Sequence, residues 1–114
     1  MAFVYKILAR TAWDAARRAG RFEGAAIDLA DGYIHLSTAA QAPETARRHF
    51  SGQSDLVLLR IDAGRLGAAL RWEPARGGEL FPHLYGPLDC ALVEAMTPIA
   101  PAPDGTPRLG ELPS

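Results

Sequence analysis

Only one cysteine, Cys90, occurs among the 114 residues, so no intramolecular disulfide can close and no second thiolate is at hand for a metal site. Excess charge is missing too. Twelve basic residues against thirteen acidic ones leave a formal charge of −1, which offers no global field to nucleic acid or an anionic membrane, so any anionic ligand must be held locally. Nowhere do uncharged apolar residues run for the about 18 positions that a membrane helix needs. The opening Met1-Ala2-Phe3-Val4-Tyr5-Lys6-Ile7 lacks the basic region and long apolar stretch of an export signal. These absences predict a cytoplasmic chain without membrane association. Also absent are a phosphate-loop glycine pattern, a dinucleotide fingerprint, a Gly-x-Ser-x-Gly elbow and a His-Glu-x-x-His pair. The three histidines, His35, His49 and His83, have no ligand-like spacing, and no metal is expected.

What is present is a chain that is 48% hydrophobic, sufficient for one modest core and too short for two. Phe3 to Leu8 alternates as a strand covered on both faces, with Lys6 its only charge. Thr11 begins a short helix, turned inward at Trp13 and Ala16 and ended by Gly20. Phe22 to Asp31 shows no sustained period and reads as a loop into the turn Asp31-Gly32. Tyr33 to Leu36 reads as a strand, with Tyr33, His35 and Ser37 on one side. Thr38 and Gln41 have capping-box spacing for a helix to Phe50, although Pro43 argues for a start nearer itself. Leu56 to Ile61 suits a buried central strand, Ala63 to Ala69 a helical turn, and Leu70 to Glu73 a strand stopped by Pro74. Gly77 to Pro87 is read as a loop because glycine and proline punctuate it throughout, and Leu88 to Met96 as a last strand. The pattern predicts an α+β domain over residues 1–97 with two main helices, followed by an unpacked Pro-rich tail over 98–114.

The residues that could carry chemistry form a constellation. His35 and Ser37 share a strand face, Arg71 and Glu73 share another, and Phe81, His83 and Tyr85 lie in the segment read as a loop. Histidine trades a proton near neutral pH, while Ser37 and Thr38 bring hydroxyls to a helix start that favours an anion. The alternative is that His35 is a satisfied sheet histidine and Thr38 merely a cap. A stiff segment bearing Phe81 and Tyr85 suits a planar ring, or else plugs the core. Glu73 could meet a developing cation or a sugar hydroxyl, and Arg71 a phosphate, unless both are an exposed cross-strand pair. Arg17, Arg18 and Arg21 read as a solvated helix face, and Cys90 as an inert core thiol.

The succession Val4-Tyr5-Lys6-Ile7, Asp31-Gly32-Tyr33-Ile34-His35-Leu36-Ser37-Thr38, Leu56-Val57-Leu58-Leu59-Arg60-Ile61-Asp62, Leu70-Arg71-Trp72-Glu73 and Phe81-Pro82-His83-Leu84-Tyr85-Gly86-Pro87-Leu88 resembles a bacterial family catalogued as domain of unknown function 952, over about residues 3–97. Members are similar in fold to the ADP-ribosyltransferase superfamily, which implies small, strongly bent sheets, mixed or antiparallel, holding NAD in a cleft. The stretch Tyr33 to Ser37 also resembles NAD-dependent RNA 2′-phosphotransferases, which implies that His35 and Ser37 lie at the cleft. Where those enzymes carry a His-Gly-Thr type motif, this chain has Lys6-Ile7-Leu8. The resemblance thus implies NAD, or a related nucleotide or sugar-phosphate, as ligand and leaves RNA open as a partner. His35, Glu73 and His83 would be the catalytic residues, and Ser37, Thr38, Phe81, Tyr85, Lys6 and Arg71 would bind the ligand. A noncatalytic small-ligand or protein-interaction module is the alternative.

Overall fold

The computed structural model describes residues 2–114. Strand β1, Phe3–Ala9, pairs antiparallel along its whole length with β5, Leu56–Asp62, from Phe3 opposite Asp62 to Ala9 opposite Leu56. Strand periodicity divides the core between the two faces of this pair. Val4, Leu8, Val57, Leu59 and Ile61 pack on one side with Trp13, Ala16, Phe22, Ile34 and Leu84, while Tyr5, Ile7, Leu56 and Leu58 pack on the other with Ala42 and Ala46. Lys6 shares the face of Val4 and Leu8, so its ammonium is carried into the first cluster rather than out to solvent.

Helix α1, Arg10–Ala19, follows β1 directly and buries Trp13 and Ala16 as expected; Gly20, in the left-handed region at φ 88°, ends it. Strand β2, Arg21–Phe22, comes next and precedes a difference from the sequence expectation, because residues 26–31 are helical. Helix α2, Ala26–Asp31, leaves Ile27 and Leu29 exposed and buries Asp28 alone. Its apolar side faces water and its acid faces the core. Hydrophobic periodicity therefore contains no trace of it.

Strand β3, Ile34–His35, and β4, Ser37–Thr38, are separated by Leu36, where the chain passes from one sheet to another. Gln41 and Thr38 do make the reciprocal bonds of a capping box, Thr38 N to Gln41 Oε1 at 3.0 Å and Gln41 N to Thr38 Oγ1 at 3.2 Å. They close a turn ahead of the helix. Helix α3, Ala42–Phe50, begins beside Pro43, as the missing amide of that residue requires.

Strand β6, Leu70–Pro74, is reached through two single 3₁₀ turns and pairs with β7, Leu80–Leu84, which was expected as a loop. Proline inside a central strand is normally excluded. Here the Pro82 carbonyl accepts from Leu36 N at 3.1 Å, so this residue's backbone faces the side of β3, and β3 has ended at His35. Leu36 is therefore the residue opposite Pro82, the missing amide costs one reciprocal bond to the Leu36 carbonyl, and regular β3–β7 pairing ends at His35 and His83. Strand β8, Leu88–Asp89, pairs with β2, and β9, Val93–Pro101, pairs with β5 through a register shift at Arg60/Ile61. Strand β10, Pro107–Arg108, pairs with β9.

All of these pairings are antiparallel, in sheets ordered β10-β9-β5-β1-β4, β2-β8 and β3-β7-β6. The fold is an α+β domain with a curled antiparallel sheet and few helices. The tail is packed, contrary to expectation. Beyond β10, Leu109 and Leu112 join the second cluster, and the Tyr5 hydroxyl donates to the Pro113 carbonyl. Among the described residues no helix is long and apolar enough to cross a membrane.

Candidate functional site

The three-stranded sheet β3-β7-β6 gathers the polar aromatic residues. In its register His35 stands opposite His83, and His83 stands opposite Arg71, with Glu73 opposite Phe81. Cross-strand partners share a face, so residues far apart in the chain emerge side by side. The Tyr33 ring stacks on His83 with centroids 4.1 Å apart and planes 20° apart, and it lies 4.7 Å from His35 and 5.3 Å from Tyr85. The two imidazoles are 5.8 Å apart. Tyr33 roofs His83, which is 4% exposed although it sits near the sheet's outer face.

Carboxylates hold both histidines. Glu73 Oε1 lies 2.8 Å from His83 Nδ1 and accepts from the Tyr85 hydroxyl at 2.8 Å. Those bonds hold the Glu73 carboxyl below the usual carboxylate range, and the same contact raises the Tyr85 phenol. Glu73 is thus an anion fixed between an imidazole and a phenol. The Arg71 guanidinium lies 4.7 Å over the Tyr85 ring and is solvent-exposed.

His35 is held from beneath. Its Nδ1 lies 2.7 Å from Asp28 Oδ1, its Nε2 lies 2.9 Å from Asp31 Oδ2, and its backbone amide donates to Asp28 Oδ1 at 3.0 Å. Asp28 also accepts from the Ala25 amide at 2.8 Å and pairs with Lys6 Nζ at 3.0 Å. Burial pushes the Asp28 carboxyl up, but the Lys6 charge and the bonds from His35 and Ala25 outweigh it and leave it below the usual range. Burial lowers the Lys6 ammonium, with Asp28 countering in part. The carboxylate has several donors, while among the described residues the ammonium has only Asp28 and the His35 carbonyl, the latter at 3.0 Å. That asymmetry explains why both groups shift downward.

Of the nine residues singled out in the sequence, His35, His83, Glu73, Tyr85 and Arg71 come together, and Phe81 lies farther along the same face, buried beneath Arg76 at 4.9 Å. Three do not join them. Lys6 is 6% exposed and committed to Asp28; Ser37 is buried with its hydroxyl 3.0 Å from Thr45 Oγ1; Thr38 accepts from Gln41 N. The physical reason is the sheet crossing at Leu36, which sends Ser37 and Thr38 to β1 instead of continuing the His35 face. Helix α3 starts at Ala42, beside Pro43 as that residue argued, so Ser37 and Thr38 lie in β4 and not at its first amides. Sequence reasoning missed Asp28 and Asp31 and left Tyr33 as a mere strand neighbour. The usable signal is the spacing Asp28-x-x-Asp31-Gly32, in which an acid near a helix start and a closing glycine bracket one turn. Two surface depressions lie apart from this face, along α1 and β8.

The sequence profile of the family described as "Protein of unknown function (DUF952)" matches residues 7–96. The chain belongs to that family. No curated protein matches it. Among solved structures it is similar to protein CC0527 from Caulobacter crescentus, whose crystal structure is 54% identical over 95% of both chains with a TM-score of 0.93. The solution NMR structure of CC0527 is 54% identical, covering 96% of this chain and 95% of that one, with a TM-score of 0.87. Within DUF952, the matched span 7–96 includes every residue of the polar aromatic face, Tyr33, His35, Arg71, Glu73, His83 and Tyr85.

Proposed function

We propose that the β3-β7-β6 face binds NAD or a related nucleotide, as in a divergent ADP-ribosyltransferase-like protein. One observation carries this reading: an aromatic stack of Tyr33 on His83, beside Tyr85, sits next to an ionised, fixed carboxylate and an exposed guanidinium. Planar rings bind by stacking, which Tyr33 and Tyr85 supply. Glu73 accepts a ribose hydroxyl or faces positive charge that builds on the sugar when its bond to a base breaks. Arg71, anchored on Tyr85, meets a phosphate. His83, held through Nδ1 by Glu73, backs the Tyr33 ring and fixes its plane for the ligand.

Turnover by this arrangement is slow, because the cation on β1 serves the buried pair with Asp28 and not the sheet face. Thermal shift tests binding: NAD or ADP-ribose raises the melting temperature, by an amount equivalent to about 2.7 kcal/mol when the ligand is at 100 times its dissociation constant. His83→Ala with Tyr85→Ala abolishes the rise. No shift at millimolar nucleotide overturns the reading. Nicotinamide release tests chemistry, and release unaffected by both Glu73→Gln and His83→Ala would place any catalysis elsewhere.

A further inference from the structure

We propose a second, anion-binding site in the groove between α1 and β8, for a small molecule that carries phosphate or carboxylate groups. Two adjoining depressions share Gly20 and Asp89, the larger about 680 Å³ and lined by Trp13, Arg17, Arg18 and Cys90 as well. Trp13 and Arg17, four apart on α1, stand one above the other on the helix surface. The Trp13 side chain is 5% exposed and its indole N–H is buried without a hydrogen-bond partner among the described residues. Buried donors are rarely left so. That N–H is closed off from the groove as well, so Trp13 contributes its ring as a wall and the arginines carry the binding.

Charge points the same way. Arg17 and Arg18 are exposed at the groove and, like several other arginines, have no ion-pair partner among the described residues. The one carboxylate lining it, Asp89, accepts from the Ala91 amide at 2.9 Å. In a chain whose formal charge is −1, this is a local basic concavity, the setting that attracts an anion without a global field. The Cys90 thiol, which donates to the Ala16 carbonyl at 3.5 Å, is raised by burial and stays a neutral wall. Guanidinium groups favour phosphate and carboxylate through paired N–H donors.

Trp13 is its own reporter once the other tryptophan, Trp72, is removed. Full-length Trp72→Phe protein is titrated with tripolyphosphate and, separately, citrate, with sodium chloride matching ionic strength. The proposal expects a saturable change in Trp13 emission at millimolar ligand or below for at least one of the two, and none with sodium chloride. Adding Arg17→Gln and Arg18→Gln, both on an exposed helix face, raises the half-saturation point by about tenfold or more, the equivalent of one charged contact. Adding His83→Ala leaves the response intact, since that residue belongs to the other face. The proposal is overturned if neither anion gives a saturable response, or if the response survives both arginine substitutions or disappears with His83→Ala.

Discussion

Replacing Asp28 by alanine removes the acceptor that ties β1, α2 and β3 together. Its carboxylate takes the Ala25 amide, the His35 amide, the His35 ring and the Lys6 ammonium. After the substitution the Lys6 charge keeps only the His35 carbonyl, inside a cluster where the residue is 6% exposed. Breaking a buried pair from one side costs about 3–5 kcal/mol, against a total of about 5–15 kcal/mol for a domain of this kind. With a urea dependence of about 1.5 kcal/mol/M the midpoint falls by about 2–3 M. Lys6→Met is milder, because Asp28 then keeps three donors. The double variant Lys6→Met/Asp28→Ala loses less than the sum of the single losses, by about 1–3 kcal/mol, since no ammonium remains stranded. Urea unfolding of the four proteins decides the matter. Equal losses in the two single variants, or additivity within about 0.5 kcal/mol, would falsify the assignment of Asp28 as the hub.

The pH dependence follows from the same carboxylate. The folded Asp28 value is depressed, so its stabilisation is complete above the unfolded carboxylate value of about 3.9 and fades as pH falls through the folded value; urea midpoints between pH 6 and pH 2 should drop more steeply in the native chain than in Asp28→Asn. Glu73→Gln keeps an acceptor for Tyr85 and removes only the charge, so melting in the absence of ligand changes little while the NAD-induced shift is lost; retention of that shift counts against the proposed site. Deleting residues 107–114 removes β10 and the packing of the half-buried Leu109 and Leu112, a loss of about 2–3 kcal/mol visible as a lower melting temperature, and an unchanged melt would contradict a packed tail.

The elements legible in the sequence are those whose periodicity is local. Alternation in Phe3 to Leu8 and the apolar run Leu56 to Ile61 correspond to β1 and β5, and the Trp13/Ala16 spacing to the buried side of α1. The misread elements each obey a tertiary rule. Helix α2 buries an acid for the sake of Lys6, so its pattern is inverted; β7 takes Pro82 where its pairing with β3 ends, at the cost of one ladder bond; the tail reads as polar and stiff but finds Tyr5 and the second cluster waiting for it. The alternation Tyr33, His35, Ser37 is sound for the first two residues and fails at the third, because a sheet crossing at Leu36 has no local signature. Likewise nothing near His35 announces His83; the register of β3 against β7 does.

That register joins two histidines held in unlike ways, and the difference governs how the site can be tested. His35 is anchored through Asp28, which is 2% exposed and bonded to the core lysine, so any substitution there changes fold and site together. His83 is oriented through Glu73, whose side chain is 34% exposed and whose partners among the described residues, His83 and Tyr85, belong to the same face. Geometry on the Glu73 side is therefore separable from stability and geometry on the Asp28 side is not. A ligand response lost in Asp28→Asn is ambiguous between unfolding and a displaced imidazole. The same loss in Glu73→Gln, at an unchanged melting temperature, isolates the fixed anion beside the Tyr33–His83 stack as what the ligand reads.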